Sequence, residues 1–248
     1  MRGASGDGKV LVICDFDGTV SRTDVGNGLF NRFTGRGWQA IDDAYCSGEI
    51  GSREAYTRVA AILEGDRDRM LAFVLREAEL DRHFPAFRQF CREKALDLII
   101  VSDGLDFYID AVLRRHNLGD IPVYANRTVF RAAQPPAIEF PWASEDCGRC
   151  GTCKRGILRS RRDCYDRIVY VGNGHSDVCP SAEADLVFAK GVLLQTCEER
   201  HRSCVPFDNF SEVIEFLNRN PLRFPGAGHQ CLRGARASDQ IKENSTGR

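Results

Sequence analysis

Five short apolar runs recur along this chain, with helix-length amphipathic segments between several of them. The first run, VLVIC at 10–14, is continuous and stops at Asp15, as buried parallel strands do where they lead into a functional loop. The other runs are LDLIIV at 96–101, IPVY at 121–124, IVYV at 168–171 and LVFA at 186–189. This alternation favours an α/β fold around a mainly parallel sheet.

The stretch between the first two runs holds no comparable strand. It shows helical periodicity at 29–33, 53–63, 67–78 and 87–94, punctuated by glycines. We therefore predict a small helical cap over 23–83 and a core domain formed by 1–22 and 84–224. Residues 225–248 are rich in Gly, Ser, Arg and Asn, and we expect them to form a disordered tail because they offer little apolar surface to bury.

Composition excludes several classes of protein. The 34 Lys and Arg residues nearly balance 35 Asp and Glu, and a net charge of -1 gives no overall attraction to nucleic acid or to an anionic membrane. The apolar runs are much shorter than the roughly 20 residues of a membrane span. The run after the basic first residues soon meets Asp15, unlike a signal peptide. We expect a cytoplasmic protein that acts on a small molecule; the sequence does not indicate its oligomeric state.

Two carboxylates follow the first strand in the segment Asp15-Phe16-Asp17-Gly18-Thr19. Because side chains alternate along a strand, both carboxylates should point to one side and Phe16 to the other. Two close carboxylates repel each other unless one is protonated or a hard cation lies between them. A simple Asp-Gly turn after a strand would explain the same pattern.

Two later segments also end apolar runs. Ser102-Asp103-Gly104 follows LIIV, and Gly172-Asn173-Gly174-His175-Ser176-Asp177 follows IVYV. Open α/β sheets bind ligands beyond the carboxyl ends of their strands, so these polar residues should meet near Asp15. Taken singly, Ser102 could be an N-cap of a helix from Leu105 to His116, and the later segment could be a glycine turn that starts a helix.

In order and context, the three segments resemble the haloacid dehalogenase (HAD) superfamily of phosphatases. The run VGNGHSDVCPSAEADLVFAK is similar to the phosphoserine-phosphatase-like branch, which includes the methylthioribulose-salvage (MtnX-like) and the phosphocholine and phosphoethanolamine phosphatases. The resemblance spans about 10–210. It implies a Rossmann-like core with a helical cap, and a phosphoric monoester hydrolase that works through an aspartyl-phosphate.

The resemblance also implies roles for individual residues. Asp15 would be the nucleophile and Asp17 the general acid and base. Mg²⁺ would bind the Asp15 carboxylate, the Asp17 carbonyl and Asn173, with Asp177 also assigned to the metal site or to orienting Lys154. The residues that would hold the phosphate are Gly18, Thr19, Ser102, Asp103, Gly104 and Lys154. Asn173 departs from the usual Asp of this motif and removes one negative charge from the metal site.

The lysine of the motif set has three candidates. Lys154 lies between the Ser102 and Asn173 segments and begins a plausible helix, CKRGIL, so it is preferred to Lys190 and Lys94. Its ammonium would neutralise the nucleophile and the phosphate. Without the resemblance, an exposed lysine would be the plainer interpretation.

Three of the 11 cysteines, Cys147, Cys150 and Cys153, have the close spacing of a zinc site or a redox pair. A structural zinc site usually has a second ligand pair, and none is clear here. The favoured interpretation is a loop that positions Lys154. The alternative function is a catalytically silent metal-binding or redox regulatory protein built on these cysteines.

Substrate choice should lie in the cap. The polar and aromatic residues that we expect to contact the substrate are Asp24, Asn27, Arg32, Arg53 and Tyr56. Asp24 could contact a substrate ammonium, as in a phosphorylated amino alcohol, or could simply cap a helix. The sequence does not name the phosphate ester.

Overall fold

A parallel sheet forms the centre of the molecule. The structure, a computed structural model, describes residues 8–35, 37–132 and 134–222. Within them the strands lie in the order β4-β3-β2-β1-β5-β6-β7, and only β4 runs antiparallel, to β3. The strands are β1 Val10–Cys14, β2 Asp97–Leu105, β3 Val123–Val129, β4 Ala137–Glu139, β5 Arg167–Gly172, β6 Leu186–Ala189 and β7 Val205–Pro206.

Strand β1 lies in the middle of the sheet, and every one of its residues is buried. It pairs in parallel with β2 on one side and with β5 on the other, so Val12 lies opposite both Leu98 and Val169. The two faces of the sheet pack against separate groups of helices, which explains why these strands read as unbroken apolar runs. The carboxyl ends of β1, β2 and β5 therefore meet at one edge.

The helices fall into two groups, those inserted between β1 and β2 and those that cover the sheet. The inserted helices are α1 Val25–Phe33, α2 Trp38–Cys46, α3 Ser52–Ile62 and α4 Arg67–Glu77; the others are α5 Phe84–Glu93, α6 Asp106–Arg115, α7 Lys154–Arg161, α8 Val178–Ser181, α9 Gly191–Glu199 and α10 Phe210–Arg219. Helix α1 begins at an N-cap, Asp24, whose carboxylate accepts from Asn27 N at 2.7 Å. Phe30 packs its ring 4.9 Å from Trp38 and 5.5 Å from Tyr56, which joins α1, α2 and α3.

The α/β fold with a mainly parallel sheet and a helical insertion after the first strand is confirmed. The division into a core (1–22 and 84–224) and a cap (23–83) stays a prediction, although α1 to α4 all fall inside the cap range. The tail predicted at 225–248 lies outside the described residues. In the part of the chain that is described, no helix is long and apolar enough to cross a membrane.

One local expectation is wrong. Strand β2 does not stop at Val101 but continues to Leu105, and α6 begins at Asp106. Ser102 is thus a strand residue and not a helix N-cap. The strand continues because Leu105 is fully buried and pairs with Asn126 of β3 after an irregularity in the register.

Candidate active site

A cavity of about 400 Å³ lies over the carboxyl edge of the sheet. Its floor is formed by the ends of β1, β2 and β5, and its walls by the inserted helices. From the sheet edge come Asp15, Asp17, Ser102, Asp103, Gly104 and Asn173, and from the insertion Asp24, Asn27, Phe30, Trp38, Asp42, Tyr45, Cys46, Ser52, Ala55 and Tyr56. Residues from three predicted segments therefore meet in one cavity.

Asp15 and Lys154 form a buried ion pair at the cavity floor. Asp15 directly follows β1, where its backbone N–H donates to Val171 O at 2.9 Å. Lys154 is the first residue of α7 and is only 2% exposed. Its Nζ lies 2.6 Å from Asp15 Oδ1 and 2.7 Å from Asp177 Oδ1. Neither Lys190 nor Lys94 takes this position, since their ammonium groups lie over the rings of Phe207 and Phe90.

Asp177 orients Lys154 and the loop after β5. Its Oδ1 also accepts from Tyr170 Oη at 2.6 Å, and its Oδ2 accepts from the backbone N–H groups of Asn173 and Gly174, each at 2.9 Å. Four donors fill the acceptor capacity of a carboxylate. These contacts favour the alternative role of orienting Lys154, and a direct place for Asp177 in the metal site stays a prediction.

The charged groups in this cluster shift one another's pKa values. Burial and the negative charge of Asp177 raise the pKa of Asp15 to about 7, against the opposing effect of Lys154. For Lys154, burial alone would lower the pKa, but the two carboxylates beside it raise it above the usual lysine value. The ammonium group of Lys154 therefore stays charged between the two carboxylates.

Asp17 is held by the inserted helices and by α6. Its Oδ1 accepts from Val25 N at 2.8 Å and from Gly26 N at 3.3 Å at the start of α1, and its Oδ2 accepts from Tyr108 Oη at 2.5 Å. Burial, together with the negative charge of Asp24, raises the pKa of Asp17 well above its usual range. A carboxyl group in this position can carry the proton that a general acid needs.

Oxygen atoms from two segments, 15–19 and 172–177, converge at Asp15, and they fit Mg²⁺. The amide of Asn173 can be turned two ways. In one orientation its nitrogen donates to Asp15 Oδ2 at 3.2 Å, Asp17 O at 2.9 Å and Thr19 Oγ1 at 2.6 Å. In the other, its oxygen accepts from Thr19 Oγ1 and faces the two other acceptor oxygens with no proton between them. A hard cation relieves that arrangement, so Asp15 Oδ2, Asp17 O and Asn173 Oδ1 form a suitable donor set.

The remaining predicted phosphate-binding residues lie close to Asp15 and Asp17. Gly18 has φ of +73°, a conformation that favours glycine. Ser102 Oγ accepts from Gly104 N at 2.9 Å. A Cβ at Gly104 would lie 2.6 Å from Asp17 Oδ2 and 2.1 Å from Tyr108 Oη, so only glycine fits there. Thr19 supports the loop through Asn173.

Asp103 differs from these residues because a carboxylate repels phosphate. Its Oδ1 accepts from Thr152 N at 2.8 Å, and its buried Oδ2 has no hydrogen-bond partner. Only the backbone N–H of Asp103 remains suitable for phosphate. The carboxylate instead offers an acceptor to a donor in the cavity.

Three of the five predicted specificity residues line the cavity, namely Asp24, Asn27 and Tyr56. The other two do not line it, and their contact with the substrate stays a prediction. Arg32 is exposed over the ring of Phe33, and Arg53 is exposed with its guanidinium over Phe140. Long charged side chains keep their heads in water unless a buried partner holds them.

Sequence reasoning missed several residues that the structure brings to the cavity or to its carboxylates: Trp38, Asp42, Tyr45, Ser52, Tyr108 and His175. The sequence pattern could have indicated a buried contact for Tyr108, because a tyrosine on the apolar face of a helix needs a buried partner for its hydroxyl. For the residues of α2, no sequence signal indicated which helix face meets the sheet edge.

Residues 147–153 form a loop that contacts the inserted helices and leads into Lys154. We call it the cysteine loop. Arg149 O accepts from Arg53 N at 3.0 Å, Arg149 Nη2 donates to Gly48 O at 2.7 Å, and Gly151 N donates to Ser52 Oγ at 3.0 Å. These contacts tie the loop to the insertion, and its predicted role of positioning Lys154 stays a prediction. Among the described residues, no group of three or more His, Cys, Asp or Glu is arranged to hold a metal ion, so the zinc interpretation of Cys147, Cys150 and Cys153 gains no support.

Comparison with known proteins agrees with this arrangement. The model of the family described as Putative Phosphatase matches residues 10–196. A 2-hydroxy-3-keto-5-methylthiopentenyl-1-phosphate phosphatase of Brevibacillus brevis is 29% identical over 214 residues, which cover 85% of this chain and 96% of that protein. The bifunctional enzyme MtnB/MtnX of Bacillus licheniformis is 32% identical over 84% of this chain, which spans only 49% of that longer protein.

Solved structures show the same fold. A phospho-aspartyl intermediate analogue of phosphoserine phosphatase superposes with a TM-score of 0.65 at 16% identity, over 85% of this chain and 99% of that one. A substrate-bound phosphoserine phosphatase complex gives a TM-score of 0.65 at 17% identity, over 84% and 98%. The chain therefore belongs to the Putative Phosphatase family and is a HAD-superfamily phosphatase, a phosphoric monoester hydrolase with the phosphoserine phosphatase fold.

Proposed function

We propose that this chain hydrolyses a small organic phosphomonoester through an aspartyl-phosphate on Asp15, with Mg²⁺ bound, and that the substrate carries an ammonium group. The observation that carries the reaction is the buried contact of 2.6 Å between Asp15 Oδ1 and Lys154 Nζ at the floor of the cavity. A carboxylate oxygen that is aimed into a ligand cavity and held by a fixed cation is a positioned nucleophile.

The proposed reaction has two steps. An Asp15 oxygen attacks phosphorus as the bond to the ester oxygen breaks, and Asp17 gives its proton to the departing alkoxide. Water then attacks the phosphorus of the aspartyl-phosphate, Asp17 takes the proton from that water, and phosphate leaves as the Asp15 carboxylate reforms. Tyr108 and the start of α1 hold Asp17 in place for both transfers.

The phosphate would lie among positive and neutral donors. Lys154 supplies the charge, while Ser102 and the backbone N–H groups near Gly18 and Gly104 supply hydrogen bonds. Mg²⁺, held by Asp15, the Asp17 carbonyl and Asn173, would neutralise the phosphoryl oxygens and draw their charge away from Asp15. Asn173 still offers an oxygen ligand, and its missing charge predicts weaker metal affinity than an aspartate would give.

The ammonium preference comes from the walls of the cavity. Asp24 and Asp42 face it, and the pKa of Asp24 is raised by burial and by the charge of Asp42. Asp103 adds a buried carboxylate oxygen with no partner. The cavity is also lined by aromatic rings. Lys154 lies beneath its floor against Asp15, and neither Lys nor Arg is among the described residues that line its walls. Rings and carboxylates together attract an ammonium group.

The test of the reaction is phosphate release with and without Mg²⁺, with Asp15→Asn as the control. The panel contains phosphocholine, phosphoethanolamine and phosphoserine, together with neutral sugar and glycerol phosphates. It also contains 2-hydroxy-3-keto-5-methylthiopentenyl-1-phosphate, the ester in the name of the Brevibacillus brevis relative. We expect turnover that requires both Mg²⁺ and Asp15. No turnover on any ester would contradict the proposed reaction and favour the silent regulatory alternative.

The test of the ammonium preference uses charge-removing variants. Asp24→Asn keeps a good helix N-cap and Asp42→Asn keeps the side-chain shape, so each removes mainly the charge. We expect each variant to raise KM for the amino alcohol phosphates by about tenfold, roughly 1.4 kcal/mol, and to leave KM for neutral esters unchanged. Equal changes in KM for both groups of esters would disprove the ammonium preference but would not contradict the proposed hydrolytic mechanism.

A further inference from the structure

A second cavity, of about 250 Å³, lies beside the active site and is lined by several thiols. Cys46 and Tyr45 come from α2, Cys147, Cys150 and Cys153 from the cysteine loop, and Cys179 from α8. All five cysteines are free thiols. The cavity touches the insertion, the cysteine loop and Lys154, so a chemical change here is next to the parts that form the active site.

The thiols have different roles. Cys153 is buried and acts as the N-cap of α7, where its Sγ accepts from Gly156 N at 3.4 Å. Cys147 and Cys150 are only half-buried, and their sulfur atoms lie 3.4 Å apart. Between them Gly148 adopts φ of +65°, which folds the segment into a tight turn and keeps the two side chains together.

We propose that Cys147 and Cys150 form a redox modification site, a dithiol that hydrogen peroxide oxidises to a disulfide within the cysteine loop. One sulfur is first oxidised to a sulfenic acid as the peroxide O–O bond breaks and one water leaves. The second sulfur then attacks it, the S–O bond breaks, and a second water leaves. In total two thiol hydrogens and two electrons pass to peroxide, and one S–S bond forms. This inference goes beyond the proposed function.

The oxidation should act on the active site through Arg149. A disulfide needs the two sulfur atoms to approach from 3.4 Å to about 2.05 Å, so the residues between them must shift. Arg149 is one of these, and it holds the insertion through Gly48 and Arg53. The backbones of Gly51 and Arg149 are in close contact, because a Cβ at Gly51 would lie 2.2 Å from Arg149 O. A shift of Arg149 therefore displaces the start of α3 and with it the wall of the active-site cavity.

The first experiment treats the full-length protein with hydrogen peroxide, blocks the remaining thiols and digests the chain with trypsin. Trypsin cuts after Arg149, between the two cysteines, so their disulfide links the peptide that ends at Arg149 to the peptide 150–154. We expect this linked pair in the wild type and in Cys153→Ser, whose serine is also a good N-cap. It should be absent in Cys147→Ser and Cys150→Ser. A disulfide through Cys153 or Cys179, or none at all, would overturn the proposal.

The second experiment measures turnover before and after oxidation. We expect the rate to fall by about tenfold, as the loss of one or two positioning hydrogen bonds would cause, and to return with a dithiol reductant. Cys150→Ser should keep its rate in peroxide, whereas Cys179→Ser, the matched control in the same cavity, should respond as the wild type does. An unchanged rate in fully linked protein would overturn the effect on the active site. The peptide measurement does not depend on phosphatase activity. Failure of the disulfide proposal can therefore be distinguished from failure of the proposed phosphatase function.

Discussion

At the scale of single residues, the site depends on polar groups whose partners are nearly all supplied from within the fold. Asp177 has four donors, Lys154 has two carboxylates, and Asp17 has three donors. Buried charges of this kind are costly unless they are paired, so the cluster fixes its members in one arrangement. The motif carboxylates were predictable from sequence because they directly follow an apolar strand. Tyr170, whose hydroxyl binds Asp177, was not predictable, and for Tyr108 the sequence could indicate only that its hydroxyl needs a buried partner.

The hydroxyl of Tyr108 should matter for rate more than for binding. Tyr108→Phe removes the donor to Asp17 Oδ2 and leaves a buried carboxylate oxygen without that partner. We expect kcat to fall by about tenfold with little change in KM, because in the proposed mechanism Asp17 moves protons and does not hold the substrate. Steady-state kinetics would measure this. Tyr124→Phe is the matched control, since its ring packs on the opposite face of the sheet, and a similar loss there would contradict the assignment.

At the scale of elements, the cysteine loop connects the helical insertion to the sheet. Its first part holds the start of α3 through Arg149 and Gly151, and its last part, Thr152, is bound to Asp103 at the end of β2. Cys153, the last residue of the loop, is the N-cap of α7, and Lys154 is the first residue of that helix. One short segment thus contacts the insertion and leads directly into Lys154.

Gly51 is the point where this contact leaves no room for a side chain. Gly51→Ala would bring a Cβ to 2.2 Å from Arg149 O, and we expect the insertion to move and KM to rise by about tenfold, roughly 1.4 kcal/mol.

Gly28→Ala is the control for that substitution, because it lies within α1 with nothing within 4 Å of the added Cβ. It should raise the free energy of unfolding by about 1 kcal/mol through helix propensity and leave KM unchanged. Denaturant unfolding and kinetics on both variants separate the two effects. If Gly51→Ala kept the wild-type KM, the tight contact would not control substrate binding.

At the scale of the whole molecule, the sheet was predictable and the cavity walls were not. Five strands appear in the sequence because buried parallel strands are continuous apolar runs, whereas β4 and β7 are too short to leave such a signal. The wall residues Trp38, Asp42 and Tyr45 depend on how α2 packs over the sheet edge, which no local pattern encodes. Arg32 and Arg53 were expected to contact the substrate as polar residues of the cap, and the structure shows both side chains exposed.

The stability of the metal-free protein should depend on pH through Asp15. Its pKa is about 7 in the folded chain and near the ordinary 3.8 when unfolded, so the folded state binds the proton more tightly. Stability should therefore rise as the pH falls from above 7 towards 4, as far as this group is concerned. Urea unfolding with a chelator present, at several pH values, measures the slope. Asp15→Asn should reduce it, and an unchanged slope in that variant would contradict the assignment.

The most direct test of the central claim, that Asp15 becomes phosphorylated, is the mass of the protein after reaction. In the proposed mechanism Asp17→Asn lacks the group that activates water. With Mg²⁺ and p-nitrophenyl phosphate, whose leaving group needs no proton, this variant should accumulate one phosphoryl group. Peptide mapping should locate that group on Asp15, and the double variant with Asp15→Asn should carry none. Phosphoryl transfer to another residue, or phosphate release by Asp15→Asn at the wild-type rate, would contradict the account.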